Sequence, residues 1–187
     1  MNLSRSCLSS LNDDFWVFGY GSLMWNPGFP YLESTVAKVH GYHRCFCLRS
    51  SNYRGTVEVP GLVLGLDRGG SCHGVAFKVS LSDADEVLDY LFDREMLRDS
   101  YHPRWVNANC SHLTRPALSF VINRLGLDYA PRLSYDEQSE TIAGARGNRG
   151  SNFDYLENTI QQLQNLAIPD RRLQQLFDQV RHQRREK

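Results

Sequence analysis

Short apolar runs bounded by turn-forming residues occupy the first two thirds of the chain, and several alternate with polar residues at a period of two. This period is typical of β-strands. The runs lie at Phe15–Gly19, Tyr42–Leu48, Gly61–Leu66, Gly74–Val79 and Leu118–Ile122. The cluster Asp67–Ser71, which is rich in glycine and charge, predicts a turn between two of them. The pattern therefore predicts a curved or closed sheet.

Helical spacing interrupts and follows these strands. Ser82 with Asp85, and Ser134 with Glu137, have the spacing of helix-capping pairs, and each precedes an apolar stripe. Ser151 is a third candidate for a helix start, ahead of apolar residues at helical spacing. We therefore predict an α+β fold in which a small mixed or antiparallel, barrel-like sheet has flanking helices.

The last predicted helix begins at Pro169 and ends in a basic tail, whose charge we attribute to solvation. Its apolar face consists of Leu173, Leu176, Phe177 and Val180. A chain of 187 residues suits one domain, and its first residues are rich in Ser and Asn. We therefore expect a flexible leader over residues 1–13 and a single domain over residues 14–187 that ends in this helix.

Composition argues for a small-molecule partner. Lys and Arg total 21 against 21 Asp and Glu, so no basic field exists to attract nucleic acid or an anionic membrane. No run approaches the roughly 18 apolar residues of a membrane span. The polar start Met1–Ser6 lacks the apolar core of a signal peptide. We therefore expect a cytoplasmic protein that binds neither nucleic acid nor membrane.

The five cysteines form no C-x-x-C pair and are odd in number, which argues against a disulfide framework and a zinc site. They lie at positions 7, 45, 47, 72 and 110. His40 and His43 are three apart in a strand-like stretch, so they would point to opposite faces of a sheet. We therefore expect reduced thiols and no metal.

One carboxylate lies on an apolar helical stripe. In the helix that begins near Asp83, the stripe through Val87 and Leu91 continues to Glu95 at helical spacing. A carboxylate directed toward the core is desolvated, which raises its pKa and suits it to general acid/base work. The alternative is a salt bridge from Glu95 to Arg94, Arg98 or Arg104, or an exposed helix end without a role. Nearby Asp89, Asp93 and Asp99 lie off the stripe, so we expect them to be solvated.

The strand Phe15–Gly19 runs into the loop Gly19-Tyr20-Gly21-Ser22, with a further aromatic segment Trp25-Asn26-Pro27. Two glycines around a tyrosine let main-chain N–H groups approach a ligand, and Gly21 can take backbone angles closed to other residues. Such a loop would hold a carboxylate or an oxyanion. The alternative is an ordinary glycine turn after an edge strand.

These residues resemble the opening motif of the ChaC-like γ-glutamylcyclotransferases, which cleave glutathione into 5-oxoproline and cysteinylglycine. Three further segments fit the family in the same order and span most of the chain. They are Arg54-Gly55-Thr56 with Pro60-Gly61-Leu62-Val63, then Arg94-Glu95-Met96, then Gly147 through Tyr155-Leu156. The resemblance implies the γ-glutamylcyclotransferase-like fold.

The resemblance also implies a role for specific residues. It makes Glu95, within Arg94-Glu95, the general acid/base for attack of the γ-glutamyl α-amine on its own γ-carbonyl. It assigns substrate binding to Gly19, Tyr20, Gly21, Ser22, Leu23 and Met24. Arg54 would pair with a substrate carboxylate or, alternatively, with Glu58. No cofactor is expected, because the ring closure is redox-neutral, and the state expected is a monomer or a homodimer.

Departures from the family pattern leave alternatives open. Many relatives have His where this chain has Tyr53, Arg where it has Leu62, and Ser where it has Arg149. One alternative is a cyclotransferase for other γ-glutamyl-amino acids or γ-glutamyl-amines. A second is a non-catalytic γ-glutamyl-binding or cation-transport regulatory protein. A third, hydrolysis by a cysteine, lacks any local nucleophile motif.

Overall fold

The computed structural model describes residues 11–96, 99–131 and 133–185. The chain divides into two units. The first contains the described residues up to Cys45 together with Gly65–Leu127, and the second contains Phe46–Leu64 and the described residues from Asp128 onward. Residues 1–10 of the predicted leader lie outside the described residues, as does Cys7. The leader and the single domain over residues 14–187 stay predictions.

Five strands form a closed barrel in the order β1-β3-β2-β4-β5. They are β1 (Phe15–Gly19), β2 (Glu33–Ser50), β3 (Gly61–Val79), β4 (Tyr101–Cys110) and β5 (Leu113–Ile122). Strand β1 is antiparallel to β3 and parallel to β5, with Val17 opposite Phe77 on one side and Leu118 on the other. Strands β4 and β5 form an antiparallel hairpin. The predicted barrel-like mixed sheet is confirmed.

The prediction of a turn at Asp67–Ser71 is wrong, because these residues lie within the 19-residue strand β3. Gly69 and Gly70 have φ angles of +97° and +72°, which glycine adopts readily. The pair is thus a local irregularity in a continuous strand and does not reverse the chain. Strand β4 was not predicted, because its buried positions change phase between Pro103 and Val106 and hide the period of two.

Four α-helices lie in the described part of the chain. They are α1 (Ala84–Glu95), α2 (Tyr135–Gly144), α3 (Asn152–Asn165) and α4 (Arg171–Arg185), and a two-residue hairpin, β6 (Arg146–Gly147) with β7 (Gly150–Ser151), lies between α2 and α3. The predicted caps Ser134 and Ser151 are confirmed, because each hydroxyl accepts a hydrogen bond from the backbone N–H three residues later. The predicted apolar face of α4 is buried. In the part of the chain that the structure describes, no helix is long and apolar enough to cross a membrane.

The start of α1 differs from the prediction of a cap at Ser82. The N-cap position of α1 is Asp83, and its side chain makes no capping hydrogen bond. A 3₁₀ turn over Leu81–Asp83 precedes the helix and includes Ser82, and the Ser80 hydroxyl caps this turn by accepting a hydrogen bond from the N–H of Ser82 at 3.3 Å. The stripe of α1 is buried as predicted, with Val87 and Leu91 both 0% exposed. Burial of each such side chain contributes about 1.5–3 kcal/mol to folding, which holds α1 in place within the first unit.

Candidate active site

The glycine loop leaves strand β1 and closes into a 3₁₀ turn over Ser22–Met24. The first hydrogen bond of the turn runs from the N–H of Met24 to the carbonyl of Gly21 at 2.9 Å. The N–H groups of Ser22 and Leu23 precede this bond, so they have no acceptor within the turn. Two consecutive main-chain donors at the start of a turn suit an anionic or partly negative oxygen.

Close packing explains one glycine of this loop. A Cβ atom on Gly19 would lie 2.8 Å from the Cβ of Leu23, which is closer than carbon atoms pack. Only glycine therefore allows the chain to fold back tightly after β1. Gly21 has a φ of −130°, so the left-handed conformation that glycine permits is not used there.

Three of the predicted binding residues in the loop have buried side chains. The Tyr20 hydroxyl donates to the carbonyl of Phe120 at 2.8 Å, and Tyr20 is 7% exposed. Leu23 and Met24 are also buried, at 6% and 4% exposure. Their side chains support the loop, so any contact of these residues with a ligand runs through the main chain.

Arg44, on β2, is a residue that sequence reasoning missed. It is buried, its Nε donates to the carbonyl of Tyr20 at 2.6 Å, and its Nη2 donates to the carbonyl of His73. These bonds fix a positive charge next to the glycine loop. No local pattern signals this role, since the two partners lie 24 and 29 positions away in the chain.

Glu95 is the last residue of α1, and its side chain is 16% exposed. Burial raises the pKa of the Glu95 carboxyl, whereas the adjacent Arg94 opposes this shift by charge and by a hydrogen bond. The desolvation that the apolar stripe predicts is therefore present. The other acids near it, Asp89, Asp93 and Asp99, are exposed as expected.

The predicted alternative, a salt bridge to Arg94, is also present. The Arg94 Nε lies 3.2 Å from the Glu95 Oε1, and the Arg94 side chain is 15% exposed. Arg98 lies outside the described residues. A paired carboxylate and a general base are compatible, because the pKa of Glu95 is raised despite the ion pair.

Arg94 joins the carboxylate to the glycine loop. Its Nη2 donates to the Ser22 Oγ at 2.7 Å, and its Nη1 donates to the carbonyl of Asn26 at 2.8 Å. The same Nη1 lies 2.7 Å from the Tyr90 hydroxyl oxygen. One guanidinium thus brings together the two segments that sequence reasoning singled out, the loop after β1 and the Arg-Glu pair.

Arg54 lies in the second unit, and its Nη1 donates to the carbonyls of Arg149 and Ser151 at 2.6 and 3.3 Å. Its guanidinium lies 5.2 Å from the ring centroid of Tyr155, which is buried. Among the described residues, the expected alternative pairing with Glu58 is not formed. Arg54 is therefore tied to the backbone that precedes α3, and its predicted contact with a substrate carboxylate stays a prediction.

The described cysteines are buried or half-buried thiols. Cys47 and Cys72 are buried, and Cys45 and Cys110 are half-buried. Burial raises the pKa of the Cys110 thiol, which is opposite to the change that activates a nucleophile. The third alternative, hydrolysis by a cysteine, gains no support.

With this geometry in place, comparison with known proteins identifies the class. The model of the ChaC-like protein family matches residues 15–183. The chain therefore belongs to the ChaC-like family, as its motifs indicate.

Individual relatives agree with this assignment. The glutathione-specific γ-glutamylcyclotransferase of Escherichia coli is 35% identical over 89% of this chain and 72% of its own length. The γ-glutamylcyclotransferase 2-3 of Arabidopsis thaliana is 34% identical over 89% of this chain and 88% of its own length. A crystal structure of a yeast γ-glutamylcyclotransferase specific to glutathione superposes with a TM-score of 0.84 at 24% identity, covering 94% of this chain and 99% of that one. The yeast structure shows the shared fold.

Proposed function

We propose that this chain is a γ-glutamylcyclotransferase that cleaves glutathione into 5-oxoproline and cysteinylglycine. Membership of the ChaC-like family and the glutathione-specific relatives support this activity. The observation that carries the mechanism is the partly buried Glu95 carboxylate, joined through Arg94 to Ser22 of the glycine loop.

The substrate supplies its own nucleophile. The α-amine of the γ-glutamyl group attacks the γ-carbonyl carbon, a five-membered lactam forms, and the bond to the cysteinyl nitrogen breaks. Because the attack is intramolecular, the protein has to hold the reactive rotamer, move one proton and stabilise the oxyanion. No nucleophile from the protein is required.

Glu95 is proposed to move that proton. An α-ammonium has a pKa of about 8 and an ordinary glutamate about 4.3, so a glutamate of raised pKa accepts the proton more readily. Burial raises the pKa of Glu95 in this direction. The protonated carboxyl would then donate its proton to the departing cysteinyl nitrogen.

The loop Gly19–Met24 is proposed to hold the γ-glutamyl group. The main-chain N–H groups of Ser22 and Leu23, which precede the first bond of the turn, are suited to an oxygen of the substrate. Ser22 is proposed as a binding residue and not as a nucleophile, because the intramolecular attack needs no nucleophile from the protein; its hydroxyl oxygen accepts a hydrogen bond from Arg94.

Reaction in H₂¹⁸O tests the reaction type. Cyclisation incorporates no solvent oxygen and gives 5-oxoproline and cysteinylglycine in equal amounts. Hydrolysis would give glutamate that carries one ¹⁸O atom. Mass spectrometry of the products distinguishes the two, and labelled glutamate as the main product would refute the cyclotransferase proposal.

The second candidate is a cyclotransferase for other γ-glutamyl compounds, and two departures from the family pattern favour testing it. The N–H of Arg149 donates to the carbonyl of Tyr53 at 3.0 Å, and its guanidinium lies 4.2 Å from the centroid of the Tyr53 ring. The two unusual residues therefore contact each other. Comparing kcat/KM for glutathione, γ-glutamyl-alanine and a γ-glutamyl-amine decides between the two substrate classes.

The remaining expectations about partners stay predictions. A small molecule is the proposed partner, as for the relatives named as cyclotransferases. Cytoplasmic location, a monomeric or homodimeric state, and the lack of a metal or cofactor are predicted from the sequence.

A further inference from the structure

We propose that Arg94 is a positioning residue that holds the Glu95 carboxylate at a fixed place relative to the substrate loop, an inference that rests on the proposed function. Arg94 has no role in the chemistry itself. Its guanidinium links two segments that are 72 positions apart in the chain, the loop at Ser22 and the end of α1.

The donors of Arg94 are shared among both segments. Nε faces the Glu95 Oε1 at 3.2 Å, and Nη2 donates to the Ser22 Oγ at 2.7 Å. Nη1 donates to the carbonyls of Asn26 and Pro27 at 2.8 and 3.2 Å. A planar guanidinium presents these donors in a rigid fork, so the loop, the guanidinium and the carboxylate move together.

Tyr90 holds the guanidinium from the preceding helical turn. The Tyr90 hydroxyl oxygen lies 2.7 Å from Nη1, and the Tyr90 ring centroid lies 5.8 Å from the guanidinium carbon. The Tyr90 hydroxyl also occupies the space where a side chain at Gly28 would lie. Segment 26–28 therefore packs directly against α1, and Arg94 cannot leave this place without breaking several contacts.

An exposed arginine that merely caps the end of a helix would not have this arrangement. The Arg94 side chain is 15% exposed, and its acceptors come from the loop as well as from its own helix. General acid/base catalysis requires a base within hydrogen-bond reach of the proton, and misplacement by about 1 Å costs roughly 100-fold in rate. Arg94 thus lies between the Glu95 carboxylate and the loop, where it would set the distance between this base and a substrate bound to the loop.

The charge of Arg94 gives a second, independent readout. Among the described residues, Arg94 is the charged group that acts on the ionisation of Glu95, and it lowers the pKa against the effect of burial. Removal of the guanidinium should therefore raise the pKa of Glu95 further. An arginine that did not contact the Glu95 carboxylate would leave this titration unchanged.

The test uses Arg94→Gln, Arg94→Lys and Ser22→Ala in the full chain, with Arg171→Gln as the control for loss of an exposed arginine. We expect Arg94→Gln to lower kcat for glutathione about 100-fold, with KM changed less, and to move the acidic limb of kcat/KM to higher pH. Arg94→Lys should keep the acidic limb near that of the wild type and restore part of kcat, because the charge remains but the fork is lost. Ser22→Ala should lower kcat/KM about tenfold without moving the limb.

A ¹³C NMR titration of the side-chain carboxyl carbons, with Glu95→Gln to assign the Glu95 signal, separates this inference from the proposed function. If the wild type cleaves no γ-glutamyl compound but Glu95 titrates at higher pH in Arg94→Gln, the proposed function fails and the coupling of Arg94 to Glu95 stands. Wild-type kcat and wild-type Glu95 titration in Arg94→Gln would overturn the inference. If Arg94→Gln does not fold, unchanged kcat in Arg94→Lys overturns it in the same way, and lowered kcat supports it.

Discussion

Replacing Gly19 with alanine should damage the site through the position of the loop. The new Cβ would lie 2.8 Å from the Leu23 Cβ, whereas carbon atoms pack at about 3.5–4.0 Å, so the two must separate by about 0.7 Å or more. A ring carbon of Phe77 at 3.4 Å and the Leu23 carbonyl carbon at 3.5 Å limit movement in other directions. The turn over Ser22–Met24 therefore has to shift.

The size of the effect follows from this shift. Overpacking of this kind costs about 1–3 kcal/mol of folding free energy. For a chain of this length each kcal/mol lowers Tm by about 2–4 °C. Since a displacement of about 1 Å costs roughly 100-fold in rate, we expect kcat/KM for glutathione to fall about 10- to 100-fold.

Gly144→Ala is the matched control for this experiment. Gly144 ends α2, and a Cβ atom there would meet no atom within 4 Å. Both variants are compared by thermal unfolding and by the rate of 5-oxoproline formation. Wild-type kcat/KM in Gly19→Ala, together with a lowered Tm, would refute the claim that the position of this loop sets the rate.

Three further predictions concern stability and pH. Asn152 is fully buried, and its side-chain amide accepts from the N–H of Leu62 at 2.6 Å and donates to the carbonyl of Leu62 at 2.7 Å. Asn152→Ala should therefore lower the free energy of unfolding, measured in urea, by about 1–3 kcal/mol for each backbone group that loses its partner. A total loss below about 1 kcal/mol would contradict this. The pKa of Glu95 is raised by burial, so kcat/KM should fall as pH decreases through a value above the ordinary glutamate pKa of about 4.3, and a limb at or below that value would contradict the assignment. Because the pKa of Glu95 is raised in the folded state, Glu95 favours folding at low pH, and this contribution is lost as the pH rises through that pKa. Glu95→Gln should therefore be as stable as the wild type, or more stable, at pH 7, as measured by thermal unfolding.

The place of the carboxylate was predictable because it follows from local periodicity. The stripe that contains Val87 and Leu91 is buried, and Glu95 extends it to the end of α1. The same local reasoning placed the caps at Ser134 and Ser151, where the accepting hydroxyl and the backbone N–H that donates to it lie within four residues. Such features are predictable because the residues that make the contacts lie close together in the sequence.

The supports of the site were not predictable in this way. Arg44 bonds the carbonyls of Tyr20 and His73, and Arg94 bonds Ser22, so each of these contacts depends on how the barrel closes. The error at Asp67–Ser71 has a related origin, because the sheet holds a glycine-rich segment in β3 that would form a turn in isolation. Contacts between residues that are distant in the sequence decide both cases, and no local sequence pattern indicates these contacts.

The central claim is that Glu95 transfers the proton in cyclisation of the γ-glutamyl group. Purified wild type and Glu95→Gln are incubated with glutathione, and 5-oxoproline and cysteinylglycine are followed by mass spectrometry. Loss of one general acid/base typically costs about 100- to 10,000-fold in rate. We predict both products from the wild type and at least a 100-fold lower rate from the folded Glu95→Gln variant. Equal rates from the two proteins would contradict the account.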